Sequence, residues 1–124
     1  MDDQLKPLQS LVISSLEDIK ARDIEVIDTT KISALFDCMV IASADSSRQT
    51  RALANHVREK VLERFPVTVR IEGEDSGEWI LVDLGSIIVH IMQPAVRSYY
   101  RLEDLWSTKS VADLTAKKSH NEVK

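Results

Sequence analysis

The sequence predicts an α+β fold: a mixed five-stranded sheet with two main helices on one face. Three observations carry that prediction. Only two stretches, close to residues 8–22 and 47–64, repeat apolar residues at the three- and four-residue steps of a full-length amphipathic helix. About five further stretches read as strands, and two helices are too few to cover both faces of so wide a sheet. Finally, GEWILVDLGSIIVHI, residues 77–91, reads as two strands folded back about Gly85-Ser86, with one side purely aliphatic and the other mixed.

Along the chain, Pro7 suits a first helical turn. Leu8, Leu11, Val12, Ser15, Leu16 and Ile19 then form the buried stripe, with Gln9, Ser14, Glu17 and Lys20 opposite. Residues 23–28, DIEVID, alternate in strand fashion, and residues 31–36 make a short irregular link. Cys38-Met39-Val40-Ile41-Ala42 is nearly all apolar, as a central strand covered on much of both faces must be. Ser46 followed by Gln49 has the capping-box spacing, and Asp45 beside it favours the positive end of a helix dipole. That helix is expected to bury Leu53, Ala54, Val57, Val61 and Leu62, and to stop near Phe65 because Pro66 disfavours helical geometry before it. Val67, Val69 and Ile71 alternate with polar residues as a third strand, and GEDSG is a loop.

In the hairpin, Leu84 should pair with Ile87, Val82 with Val89 and Ile80 with Ile91, so all six share the core side. Trp79, Leu81, Asp83, Ile88, His90 and Met92 fall on the other side, which is expected to stay partly open. QPAVRSYYRLEDLW then reads as a short helix or turn followed by a second short helix. From Ser107 the pattern weakens, with Val111 and Leu114 isolated among polar residues. The expected organisation is one domain over residues 1–106 and a mobile tail over 107–124, dispensable for folding after about Leu114.

A chain of 124 residues with 44% hydrophobic and 29% charged residues is ordinary for one soluble domain. Repeats, low-complexity stretches and membrane-length apolar runs are absent from the sequence. The acidic start, MDDQLKP, does not resemble a secretory signal, and the single Cys38 cannot form an internal disulfide. Both point to a cytoplasmic protein. Residues 1–106 carry 18 acidic and 12 basic side chains, a net of −6, whereas residues 107–124 carry 2 and 4, a net of +2. A domain so acidic is a poor binder of nucleic-acid phosphates and a better match for a basic protein surface.

Catalytic signals are thin. Gly73, Gly77 and Gly85 fit no phosphate loop, no Gly-x-Ser-x-Gly elbow occurs, and the three histidines and one cysteine offer no zinc spacing. Asp37, Asp45 and Asp83 are candidates to hold a divalent cation with a nucleotide phosphate, against the plainer roles of capping and solvation. His90 is either a half-buried strand histidine bonded to a neighbour such as Asp83, or a partner contact. His56 is expected to be solvated, and His120 carries no inference. Trp79, Tyr99, Tyr100 and Trp106 hold four of the six aromatic residues. Trp106 suits packing that closes the domain, and Trp79 suits an interface anchor.

Taken in order, FDCMVIASADSSRQTRALA, EGEDSGEWILVDLGSIIVHIM and RSYYRLEDLW resemble the Iojap family, the ribosomal silencing factors called RsfS. The resemblance spans roughly residues 8–106 and rests on Asp37, the Ser46–Gln49 cap, Gly77-x-Trp79, Asp83-x-Gly85, Val89-His90, Arg97, Tyr100-x-Leu102-Glu103 and Leu105-Trp106. Ser86 departs mildly, since family members often carry an acidic residue there. The resemblance implies a nucleotidyltransferase-like fold without the active site, no cofactor and no metal. It implies binding to the large ribosomal subunit through its fourteenth protein, on the surface that meets the small subunit, so that subunit joining and translation fall when nutrients are scarce. Related organellar proteins are tied to large-subunit assembly, which the same surface could serve.

Under that reading Trp79, Leu81, Asp83 and His90 form the partner-binding surface, with Asp37, Ser43, Asp45, Gln49 and Tyr100 at its edge. Neither a membrane nor much direct contact with nucleic acid is expected. Two other classes remain open. One is a magnesium-dependent nucleotidyltransferase-like enzyme, although Gly85-Ser86 is followed by Ile87-Ile88-Val89 instead of the paired carboxylates such a site needs. The other is a homodimer that uses the mixed face as its own interface.

Overall fold

The computed structural model describes residues 5–102 and 104. The chain runs α1 (Leu5–Asp18), β1 (Arg22–Asp28), β2 (Cys38–Ser43), α2 (Ser47–Arg64), β3 (Arg70–Glu72), β4 (Trp79–Asp83), β5 (Ile87–Met92) and α3 (Pro94–Tyr100). Five strands form one sheet in the order β1-β2-β5-β4-β3. β2 and β5 are parallel and the other neighbours antiparallel, so the fold is the α+β mixed sheet that the sequence predicts.

Helices α1 and α2 cover one face. Leu8, Val12 and Leu16 of α1 and Leu53, Ala54, Val57 and Val61 of α2 meet Val40, Ala42, Ile80, Val82, Ile87, Val89 and Ile91 in one buried cluster. The hairpin register is the expected one, with Val82 opposite Val89 and Ile80 opposite Ile91. Every residue of β2 is buried, as the unbroken apolar run demands of a strand covered on both sides.

Several boundaries shift for local reasons. Helix α1 starts at Leu5, which joins the core, and it ends at Asp18 instead of continuing to residue 22. Lys20 adopts a left-handed φ of 65°, and the Ala21 N–H donates to Leu16 O, which closes the helix in the manner of a glycine cap. β3 covers only Arg70–Glu72, because its partner β4 ends at Asp83 and leaves Val67 and Val69 no ladder to join. Those two valines still pack half-buried on the core. In α2 the Ser46 hydroxyl accepts from the Gln49 N–H as expected, but Gln49 Oε1 accepts from the Asp45 N–H, one residue before the anticipated one. Leu62, expected in the core, is exposed, since it lies a helical step off the Val57–Val61 stripe.

The larger correction concerns the other face. A second buried cluster of Ile27, Met39, Ile41 and Met92 sits there, with Phe36, Trp79, Val96 and Leu102 packed against it. Helix α3 therefore roofs one end of a face expected to be partly open, and His90 and Met92, expected on its mixed side, are buried. Trp106, His120, Val111 and Leu114, and the whole tail from residue 107, lie outside the described residues.

Candidate functional site

The half of the second face that no helix among the described residues covers is built from alternate residues of three strands. On β4 and β5, Leu81, Asp83 and Ile88 are half-buried, and β3 adds Arg70 opposite Asp83 and Glu72 opposite Leu81. Met39 lies directly beside Ile88 across the parallel ladder, which links this floor to the second apolar cluster. At the roofed end Tyr99 is 79% and Tyr100 49% exposed. The result is a shallow aliphatic floor bounded by charges, with tyrosines at one end. Such a composition suits a protein contact better than a small-molecule pocket.

Trp79 is tied into the fold. Its indole N–H donates to His90 Nδ1 at 2.9 Å, and its ring lies 4.8 Å, centroid to centroid, from Tyr100. Accepting at Nδ1 places the neutral imidazole proton on Nε2. His90 is only 7% exposed, so the expectation that it meets a partner directly is corrected: it lies beneath Trp79, and its neighbour is that indole, not Asp83. Burial pushes its pKa down to about 4.

That shift predicts an acid-sensitive latch. The folded-state pKa of about 4 lies below the ordinary histidine value of about 6.5, so the unfolded chain takes up the proton first as pH falls. His90 therefore costs no stability above about pH 6.5, and the loss grows as pH drops towards 4. Urea unfolding should give a stability about 2 kcal/mol lower at pH 5 than at pH 7 from this residue. His90→Gln, which can still accept from the indole, should flatten that part of the profile; an unchanged slope would contradict the assignment.

The polar edge residues divide into exposed and structural ones. Ser43 is 3% exposed and accepts from Arg97 Nη1 at 2.9 Å, while Arg97 Nη1 also donates to Asp23 O at 2.6 Å. Asp23 has a φ of 51° beside an irregularity in β1, and the buried guanidinium satisfies the carbonyl displaced there. Ser43 is thus not available at the surface. Gln49 Nε2 donates to the carbonyls of Ile19 and Lys20 at 3.0 and 3.2 Å, joining α2 to the end of α1. Asp45 is exposed and ion-paired with Arg22. Asp83 Oδ1 accepts from the Gly85 N–H at 2.8 Å and so holds the hairpin turn, while Asp37 is half-buried beside it, its N–H donating to Ser86 O at 2.8 Å.

Other titratable groups are equally committed. His56 is not simply solvated, since its Nε2 lies 3.0 Å from Asp18 Oδ2 across the α1–α2 contact. Cys38 is buried, and burial, with smaller contributions from the Asp28 and Asp37 charges, pushes its thiol up to about 11, which leaves it unreactive at neutral pH. Among the described residues no three His, Cys, Asp or Glu side chains gather as metal ligands do, and no helix is long and apolar enough to cross a membrane. The buried role of Arg97 is one that sequence reasoning missed. Its only sequence signal was its place in the family-like RSYYRLEDLW motif.

Comparison with known proteins agrees with this architecture. A family described as "Ribosomal silencing factor during starvation" matches residues 2–124. The chain is 48% identical over 103 residues to the ribosomal silencing factor RsfS of Chromobacterium violaceum, covering 83% of this chain and 84% of that one. A crystal structure of a protein from Chromobacterium violaceum superimposes with a TM-score of 0.80 at 48% identity, over 86% of this chain and 87% of the other. A mouse protein named "Mitochondrial assembly of ribosomal large subunit protein 1" is 37% identical over 109 residues, covering 86% of this chain and 48% of its own.

Proposed function

The chain belongs to the RsfS family of ribosomal silencing factors, and from that premise we propose that it binds the large ribosomal subunit through its fourteenth protein. Bound there, it occupies space the small subunit requires and lowers translation under nutrient limitation. The observation that carries this reading is the uncovered half-face of Leu81 and Ile88, edged by Trp79 and Tyr100, on a domain of net charge −6. An apolar centre with a polar rim supplies binding energy, and the acidic field steers the encounter with a basic ribosomal protein. No bond is made or broken. Inhibition follows from affinity and position alone.

Of the candidate contacts, Tyr100 and Asp45 are exposed, and Leu81, Trp79, Asp37 and Asp83 are half-buried. His90, Ser43 and Gln49 support them from within or behind. The direct test is a sucrose gradient of the protein mixed with purified subunits. Co-migration with large subunits, weakening steeply with salt, is the expected result; protein left at the top of the gradient contradicts it. A role in large-subunit assembly is the second reading, favoured by the mouse relative's name. Cells lacking the protein would then accumulate large-subunit precursors, whereas silencing alone leaves mature subunits that join without restraint.

A further inference from the structure

Between β1 and β2 the chain makes a loop, residues 29–36, that is closed by its own hydrogen bonds. The Thr29 N–H donates to Asp37 O and its hydroxyl to Phe36 O, each at 3.0 Å, which joins the two ends of the loop. The N–H groups of Ile32 and Ser33 donate back to Thr29 O at 3.0 and 2.9 Å, and the Leu35 N–H donates to Ser33 Oγ at 3.0 Å. Thr29 itself is fully buried, and Phe36 is set into the second apolar cluster beside Met39. Between these fixed neighbours stands Leu35, which is 85% exposed.

Single exposed apolar side chains are common on proteins and by themselves need no explanation. Leu35 differs in that its backbone is already ordered, so burying it in a partner costs little further conformational entropy. The loop also adjoins the open floor: Phe36 packs on the cluster of Met39, and Met39 is the ladder neighbour of Ile88. Asp28 and Asp37 flank the loop at its two ends, with Lys31 as its one cation. The Thr30 hydroxyl and N–H hold the Asp28 carboxyl below the usual carboxylate range, which keeps it anionic.

We propose that Leu35 is a preformed knob that inserts into an apolar pocket on a basic protein, extending the docking surface from the sheet face onto the β1–β2 loop. This rests on the proposed function, and the partner is the ribosomal protein bound there. The flanking carboxylates and the domain's net charge of −6 call for Lys or Arg around that pocket.

The test compares the parent with Leu35→Ser and Leu35→Met in pelleting assays with purified large subunits, alongside melting curves and light-scattering masses. Leu35→Ser should weaken binding by about tenfold or more, with the melting temperature held within about 2 °C and the mass unchanged. Leu35→Met, which keeps an apolar side chain, should bind nearly as the parent does. A Leu35→Ser variant that pellets like the parent overturns the proposal. So does one that melts much earlier, because Leu35 would then be covered by its own chain, or one that converts a dimeric parent to a monomer, because a second copy would be the occupant. A parent that fails to pellet at all contradicts the ribosome-binding reading itself, and the knob with it.

Discussion

Val82→Asp is expected to leave little or no folded protein. Val82 is fully buried on β4, with Ile71 of β3 on one side and Val89 of β5 on the other, in the cluster under the two main helices. A carboxylate there has no cation or donor within the aliphatic cluster, and burying it unpaired costs several kcal/mol. Domains of this size are stable by about 5–15 kcal/mol, so one such change consumes much or all of the margin. Circular dichroism of the purified variant would check it. A soluble protein with an unchanged melting temperature would mean that the packed and open faces have been exchanged.

Leu81→Arg should do the opposite, sparing the fold and removing the function. Leu81 is half-buried on the uncovered part of the second face, where a long arginine can reach water. The substitution removes apolar contact area and sets a positive charge against a basic partner. Losing an anchor of that kind commonly costs about 2 kcal/mol or more, roughly a thirty-fold drop in affinity. Titrating fluorescently labelled protein with large subunits measures it directly, and equal affinities for variant and parent would remove the open floor from the interface. Trp79→Ala is the less discriminating variant. It deletes the donor to buried His90 and the ring under Tyr100, so stability and binding should fall together.

The two sheet faces were legible to different degrees for a physical reason. Strand alternation and the Gly85 turn specify the hairpin register without any knowledge of the rest of the chain, so the pairings of Val82 with Val89 and Ile80 with Ile91 could be read directly. Helix α2 was equally readable, because its stripe is long and Ser46 and Pro66 bracket it. What covers the second face was not. Helix α3 has seven residues and its one buried residue is Arg97, so it carries no apolar periodicity that could reveal its docking. The burial of Ser43 beside Arg97 follows from that helix, and His90 lies beneath the Trp79 ring that Tyr100 packs on, so neither showed in the strand pattern. Gln49 looked like a plain capping residue because its second role, on Ile19 and Lys20, depends on how α1 ends against α2. Leu35 was passed over because an irregular link gives no pattern from which exposure can be inferred.

The most direct measurement of whether this protein silences by exclusion is subunit joining itself. Purified large subunits are incubated with the protein, small subunits and magnesium are added, and intact ribosomes are separated from free subunits on a gradient. The parent should hold large subunits apart in proportion to its occupancy, and Leu81→Arg should permit joining at the same concentration. Joining that proceeds normally while the parent remains bound to the large subunit would contradict steric exclusion outright.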